Sequence, residues 1–299
     1  MTEITDFLKM LLSVLTRYLV ILAVTYLLTA FTFRILTKFM INTKLLRLNY
    51  RDEEIPAVGG LIFTVLLPFT VGLGMLLNIK SFTNLNSVLF LFMVIGMSFL
   101  GFVDDLIGTN EYKGFKGHFK ALLFEKKLTT GGFKAIFGAL IAMVFAISTA
   151  KLYDAGFFTW WIILSSFLFV VLGANTINIF DLRPGRAGKV FIIAFLLIIA
   201  FSKDLESYIG LFVPILAIML YYLRFDLKAR IMLGDVGSNV LGATLGMMMA
   251  WMLTDFGKII ALIILVAIQV IAEKYSFTAL IEKYGWLRYL DELGRRKNN

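Results

Sequence analysis

Cysteine is absent from the 299 residues, which excludes a disulfide framework, a thiolate nucleophile and thiol-ligated zinc or iron-sulfur centres. Histidine occurs once, at His118, so a histidine-rich metal cage is excluded too. Charge is scarce: 16% of residues are charged against 60% hydrophobic, with a mean hydropathy of +0.87. Soluble domains are less apolar and more charged, so the composition indicates an integral membrane protein. The opening MTEITDF is acidic and a long apolar run follows it, which reads as a retained span and not a cleaved signal peptide. The net charge of +9 does not indicate nucleic acid, because the basic residues are scattered through short loops between apolar runs.

A helix needs about 20 apolar residues to cross a hydrocarbon core about 30 Å thick. Apolar segments fall near 11–36, 57–78, 86–103, 134–150, 157–175, 189–202, 208–223, 238–254 and 257–273. The expected fold is therefore all-α, a polytopic membrane bundle of nine to ten transmembrane helices. Placing the N-terminus outside puts 23 of the 29 Lys and Arg on inner loops, among them Lys44, Arg47, Lys134, Arg183, Arg186 and Lys228. The positive-inside bias selects that orientation. No internal repeat or long linker divides the chain, so residues 1–275 read as one transmembrane catalytic domain. Residues 276–299 read as a cytosolic amphipathic segment, with Phe277, Leu280, Ile281, Trp286, Leu287 and Leu290 able to lie on the inner leaflet.

This topology sends every conspicuous polar cluster to one side. They are RDEEIPAVGG at 51–60, GFVDD at 101–105, NTINIFD at 175–181 and MLGDVGSN at 232–239. Asp104 and Asp105 end an apolar span, where adjacent carboxylates repel unless a cation or hydrogen bonds compensate them. A solvated helix end is the alternative, although negative charge is unfavourable at a helix C-terminus. Asn175, Asn178 and Asp181 recur at helical spacing and suit a phosphate-bound metal or a sugar, or else simply cap a helix. Asp235, in LGDVGSN, can donate oxygen to the same cation, while Gly237 and Ser238 offer a phosphate-binding helix start. An ordinary N-cap by Ser238 or Asn239 is the competing reading. Lys113, Lys116 and Lys120 can neutralise phosphate or merely reflect inner-side bias, and Gly59 and Gly60 favour close packing.

Carboxylates, a cation and basic residues at one membrane face suit transfer of a phosphate group between a cytosolic donor and a membrane-embedded acceptor. A transporter or channel would place ionisable groups near mid-span, and those regions are almost free of charge here.

PAVGG, GFVDD, NTINIFD and LGDVGS, in that order and over most of the chain, resemble the polyprenyl-phosphate N-acetylhexosamine-1-phosphate transferase family. The resemblance implies transfer of a sugar 1-phosphate, an N-acetylhexosamine 1-phosphate, from a UDP-sugar to undecaprenyl or another polyprenyl phosphate with release of UMP. It implies a bacterial plasma-membrane enzyme of cell-envelope polymer synthesis that requires Mg2+, with Mn2+ as a substitute, works at the cytoplasmic face and has a homodimer among its options. By that resemblance Asp104, Asp105, Lys120 and Asp181 are catalytic, Asp235 and Asp105 bind metal, and Asn175 and Asn178 meet substrate, while Gly237 and Ser238 remain substrate candidates from the helix start in LGDVGSN alone. Two departures stand out. Asp181 is followed by LRPGR, so Pro184 replaces an aspartate associated with the nucleotide base; the histidine-containing loop and a clear tenth span are also missing. Arg183 and Arg186 are placed to meet donor phosphates instead. A different nucleotide-sugar donor, or a transporter or non-catalytic homologue, is the alternative.

Overall fold

A computed structural model describes every residue except 1, 78, 83, 109–128, 154–155 and 296–299. Helix α1 (Thr2–Asn42) leads into a short antiparallel hairpin, β1 (Leu46–Leu48) and β2 (Glu54–Pro56), and then α2 (Leu61–Leu76) and α3 (Asn84–Ile107). The remaining helices are α4 (Thr130–Tyr153), α5 (Thr159–Phe180), α6 (Arg186–Ala200), α7 (Leu205–Asp226), α8 (Gly234–Met252), α9 (Asp255–Lys274), α10 (Phe277–Lys283) and α11 (Gly285–Glu292). Each apolar segment of the sequence thus becomes a helix. Six of the described helices, α1, α3, α4, α5, α7 and α9, contain stretches long and apolar enough to cross a membrane. The polytopic membrane character follows from these six.

Helix α8 is the axis of the bundle, with every residue from Val236 to Met252 buried. It is rich in glycine and other small residues because it faces protein, not lipid. A side chain on Gly242 would strike the backbone of α5 at Gly173 and Ala174. Without a hydrophobic drive between helices in lipid, such small-residue seams allow the close backbone contact that holds them together. At its far end Trp251 donates a 3.1 Å hydrogen bond from Nε1 to the Thr149 hydroxyl of α4. By contrast α9 exposes Phe256, Ile259, Ile260, Ile263 and Ile264, as a lipid-facing helix must.

The hairpin ties the first connection to the start of α8. Pro56 O accepts from Met232 N at 2.8 Å, and the Gly59 and Gly60 amides donate to Met232 O and Leu233 O at 2.9 Å each. Gly60 lies against the backbone of Gly237, so the sequence's paired glycines serve close packing. Gly234, at φ +71°, turns the chain into α8 where a side chain would meet Ala57 O and the Asp105 carboxylate.

Candidate active site

The C-terminal ends of α3 and α5 meet the N-terminal ends of α4 and α8 at one end of the bundle. Asp105 shows why that meeting is stable. Its carboxylate is badly placed on its own helix, because the α3 C-terminus carries partial negative charge. Its Oδ2 instead accepts from Val236 N in the first turn of α8, at 3.1 Å. A helix N-terminus with no side-chain cap of its own thereby receives an anion from another helix. Arg47, in strand β1 of the hairpin, donates to the Asp105 carbonyl.

Asp104 and Asp235 face one another closely enough to interact directly. Lys134, in α4, lies between them: its ammonium pairs with Asp235 Oδ2 and stands 3.5 Å from Asp104 Oδ2. Asn178 completes the group once its amide is oriented by its neighbours, donating to Asp235 Oδ1 at 3.1 Å and accepting from Lys134 Nζ at 3.2 Å. The side chains of Lys134, Asp104 and Asp235 retain only 20–24% exposure, so this charge cluster is largely withdrawn from water.

A cavity of about 220 Å3 opens beside the cluster. Its lining includes Asp105, Asn178, Asp181 and Asp235 together with Arg47, Tyr50, Arg183, Pro184 and Asp226. Asp181 follows the last turn of α5, and its carboxyl is raised well above the usual range. Burial is the main cause, and the nearby charges of Asp226, Asp235 and Asp105 add to it. The Arg183 guanidinium lies 5.6 Å from the Tyr50 ring centroid. Asp226 accepts from Gly185 N at 3.0 Å and so anchors the turn that carries Arg183 and Pro184.

The expected residues therefore divide. Asp104, Asp105, Asn178, Asp181, Arg183 and Asp235 are gathered at the cluster and the cavity. Asn175 is directed to α9 instead, where its amide donates to Gln269 Oε1 at 2.5 Å. Gly237 and Ser238 are buried within α8, Ser238 having no exposure, and neither lines the cavity. The helix begins at Gly234, so Ser238 and Asn239 are interior residues and not N-caps. Arg186 is 4% exposed and bound away from the cavity: Nε and Nη2 hold the two Asp291 carboxylate oxygens at 2.7 and 2.9 Å, and Nη1 donates to Thr278 at 2.9 Å. Lys113, Lys116, His118 and Lys120 lie outside the described residues.

Lys134, Arg47 and Asp226 join the site without having been singled out in the sequence. For Lys134 a signal existed: a cation near a helix N-terminus opposes the dipole and calls for an anionic partner. Asp226 offered a similar one, as an acidic residue at the end of the apolar span LFVPILAIMLYYLRFD.

The profile of glycosyl transferase family 4 matches residues 87–253, more than half of the chain and the stretch that contains Asp104, Asp105, Lys134, Asn178, Asp181 and Asp235. The chain belongs to glycosyl transferase family 4. Similar members of the family include phospho-N-acetylmuramoyl-pentapeptide-transferases from Fervidobacterium nodosum, 26% identical over 65% of this chain and 58% of that protein, and from Thermotoga neapolitana, 28% identical over 75% and 70%. A third, from Wolbachia pipientis, is 28% identical over 65% of this chain and 59% of its own length. The chain thus spans less than two thirds of the first and third of these family 4 relatives. The tail that holds Arg186 lies beyond the family match.

Proposed function

We propose that the protein transfers a sugar 1-phosphate, an N-acetylhexosamine 1-phosphate carried by UDP, to undecaprenyl or a related polyprenyl phosphate at the cytosolic face of a bacterial plasma membrane. The observation that carries this reading is the cluster itself: Asp105, Asp181 and Asp235 line a cavity at one end of a membrane bundle together with Arg47 and Arg183, and Lys134 joins Asp104 to Asp235 beside it. A lipid phosphate is already an oxygen nucleophile. Its oxygen attacks the phosphorus that bears the sugar, the P–O–P bond of the donor breaks, and UMP leaves with the electron pair. The protein's part is to align the two phosphates and balance charge.

The donor set suits Mg2+. Hard carboxylate oxygens of Asp104 and Asp235 already share one positive charge, the Lys134 ammonium, and the Asn178 amide stands next to them. Among the described residues no three Asp, Glu, His or Cys side chains form a ready metal cage. Mg2+ commonly takes one or two carboxylates and completes its coordination with water and substrate phosphate, so Asp104 and Asp235, with Asp105 adjacent, would hold it. When bound, the ion supplies charge neutralisation on the diphosphate oxygens. Arg183, which lines the cavity, meets donor phosphate, and Asp181 or Asp105 accepts any proton left on the lipid phosphate.

The test is purified protein in detergent with undecaprenyl phosphate, Mg2+ and a panel of nucleotide sugars, read by mass spectrometry of the lipid fraction. The expected product is a polyprenyl-diphosphate sugar, with Asp235→Asn reducing its formation at least about 100-fold. A folded wild-type protein that yields no such lipid from any donor defeats the proposal.

A further inference from the structure

Lys134 has no role in the proposed transfer, and its position is unusual. It belongs to the N-terminal part of α4, where the helix dipole disfavours a cation. The ammonium is held there by Asp235 and Asp104 from two other helices and by the Asn178 oxygen from a third. Without a cation between them, two carboxylates this close and this shielded from water repel each other. A lysine is suited to a replaceable cation, because it is a compact point charge on a flexible four-carbon stem that stays tethered when its head group moves.

We propose that the Lys134 ammonium is a placeholder that holds Asp104 and Asp235 in register and gives up its position when the divalent cation binds. This inference rests on the metal-assisted reading above and deepens it: the cation site is closed by the protein's own charge until a stronger cation arrives. A divalent ion offers two charges to the same oxygens. The competition lowers the apparent affinity by the fraction of time the site is open, so a placeholder seated nine-tenths of the time weakens divalent binding about tenfold. The bare protein then keeps its two carboxylates paired, and a donor diphosphate that brings its own metal adds the further affinity needed to move the lysine.

Mn2+ reports on the site, because its free aquo ion can be counted by electron paramagnetic resonance. Titrations of wild type, Lys134→Met, Lys134→Gln and Asp235→Asn are compared at fixed ionic strength. The expected result is about tenfold tighter Mn2+ binding in both lysine variants and loss of the site in Asp235→Asn. Equal or weaker binding in folded lysine variants overturns the placeholder while leaving the metal reading intact. No Mn2+ bound by wild type or by either variant overturns both. A second measurement needs no substitution: mass spectrometry of wild type treated with an amine-acylating reagent, with and without Mn2+. Lys134 should become several-fold more reactive when Mn2+ is bound, and an unchanged reactivity overturns the inference even if the variants fail to fold.

Discussion

Asp181 is partly buried beside groups that resist its charge, with Asp226, Asp235 and Asp105 close enough to add repulsion. Its folded-state carboxyl therefore titrates well above the unfolded value of about 3.9. The sign follows from linkage. Below that unfolded value the carboxyl is protonated in both states and costs nothing; as pH rises, the unfolded chain gains from ionisation that the folded protein resists. Asp181 thus lowers stability at neutral pH in the unliganded protein, a cost that the proposed binding of a cation and phosphates would offset. Asp181→Asn should raise the melting temperature in detergent by about 2–4 °C at pH 7, with the gain vanishing as pH falls below about 4. Transfer activity should fall in the same variant. Thermal melts across pH measure this directly, and an unchanged or lowered melting temperature at pH 7 contradicts the repulsion described.

At the scale of elements, the tail and the turn after α5 form a latch. Arg186 is bound bidentately by Asp291, which also takes Arg295 at 3.0 Å, while Arg295 Nε donates to Pro184 O at 3.1 Å. Lys189 donates to the carbonyls of Leu290, Asp291 and Leu293, which places a cation at the negative end of α11. The other side of the same turn presents Arg183 and Pro184 to the cavity, so tail docking and cavity shape are mechanically joined. Burial alone would raise the Asp291 carboxyl, but the hydrogen bonds and charges of Arg186 and Arg295 outweigh it and hold it below the usual range. Its contribution is therefore complete above the unfolded value of about 3.9 and is lost only as pH falls through the lower folded one. Asp291→Ala leaves Arg186 buried without its partner, a loss of about 3–5 kcal/mol. Limited trypsin digestion should then cleave near Lys283 and Arg288 much faster than in wild type. Combining Arg186→Met with Asp291→Leu removes both charges and should restore most of the protection. Cleavage as slow in Asp291→Ala as in wild type would show that the latch contributes little.

Across the whole molecule, the spans were legible because each is a nearly uninterrupted apolar run, and the site was legible in part because alternate helix ends must fall on the same side. The hairpin and the latch were not, since both depend on contacts between residues far apart in sequence, such as Pro56 with Met232 and Arg186 with Asp291. One feature links the hidden pairings to the sequence. Asp104 and Asp105 at a helix C-terminus, and Lys134, Arg186 and Lys189 near helix N-termini, all carry the wrong sign for their own helix dipole. Each finds its partner on another helix end, Asp104 and Lys134 sharing one cluster with Asp235, so misplaced charge marks where the bundle's ends are joined. The same side of the bundle carries most of the basic residues, which predicts that it faces the cytosol. The lack of cysteine makes this testable without first stripping native thiols. Lys151, at the end of α4 remote from Lys134, is exposed, as are Lys228 and Lys283 on the side of the site. In intact cells a membrane-impermeant maleimide should label Lys151→Cys and leave Lys228→Cys and Lys283→Cys unlabelled until the membrane is permeabilised. The reverse pattern would place the carboxylate cluster outside, beyond reach of a cytosolic nucleotide sugar, and would defeat the proposed reaction on topology alone.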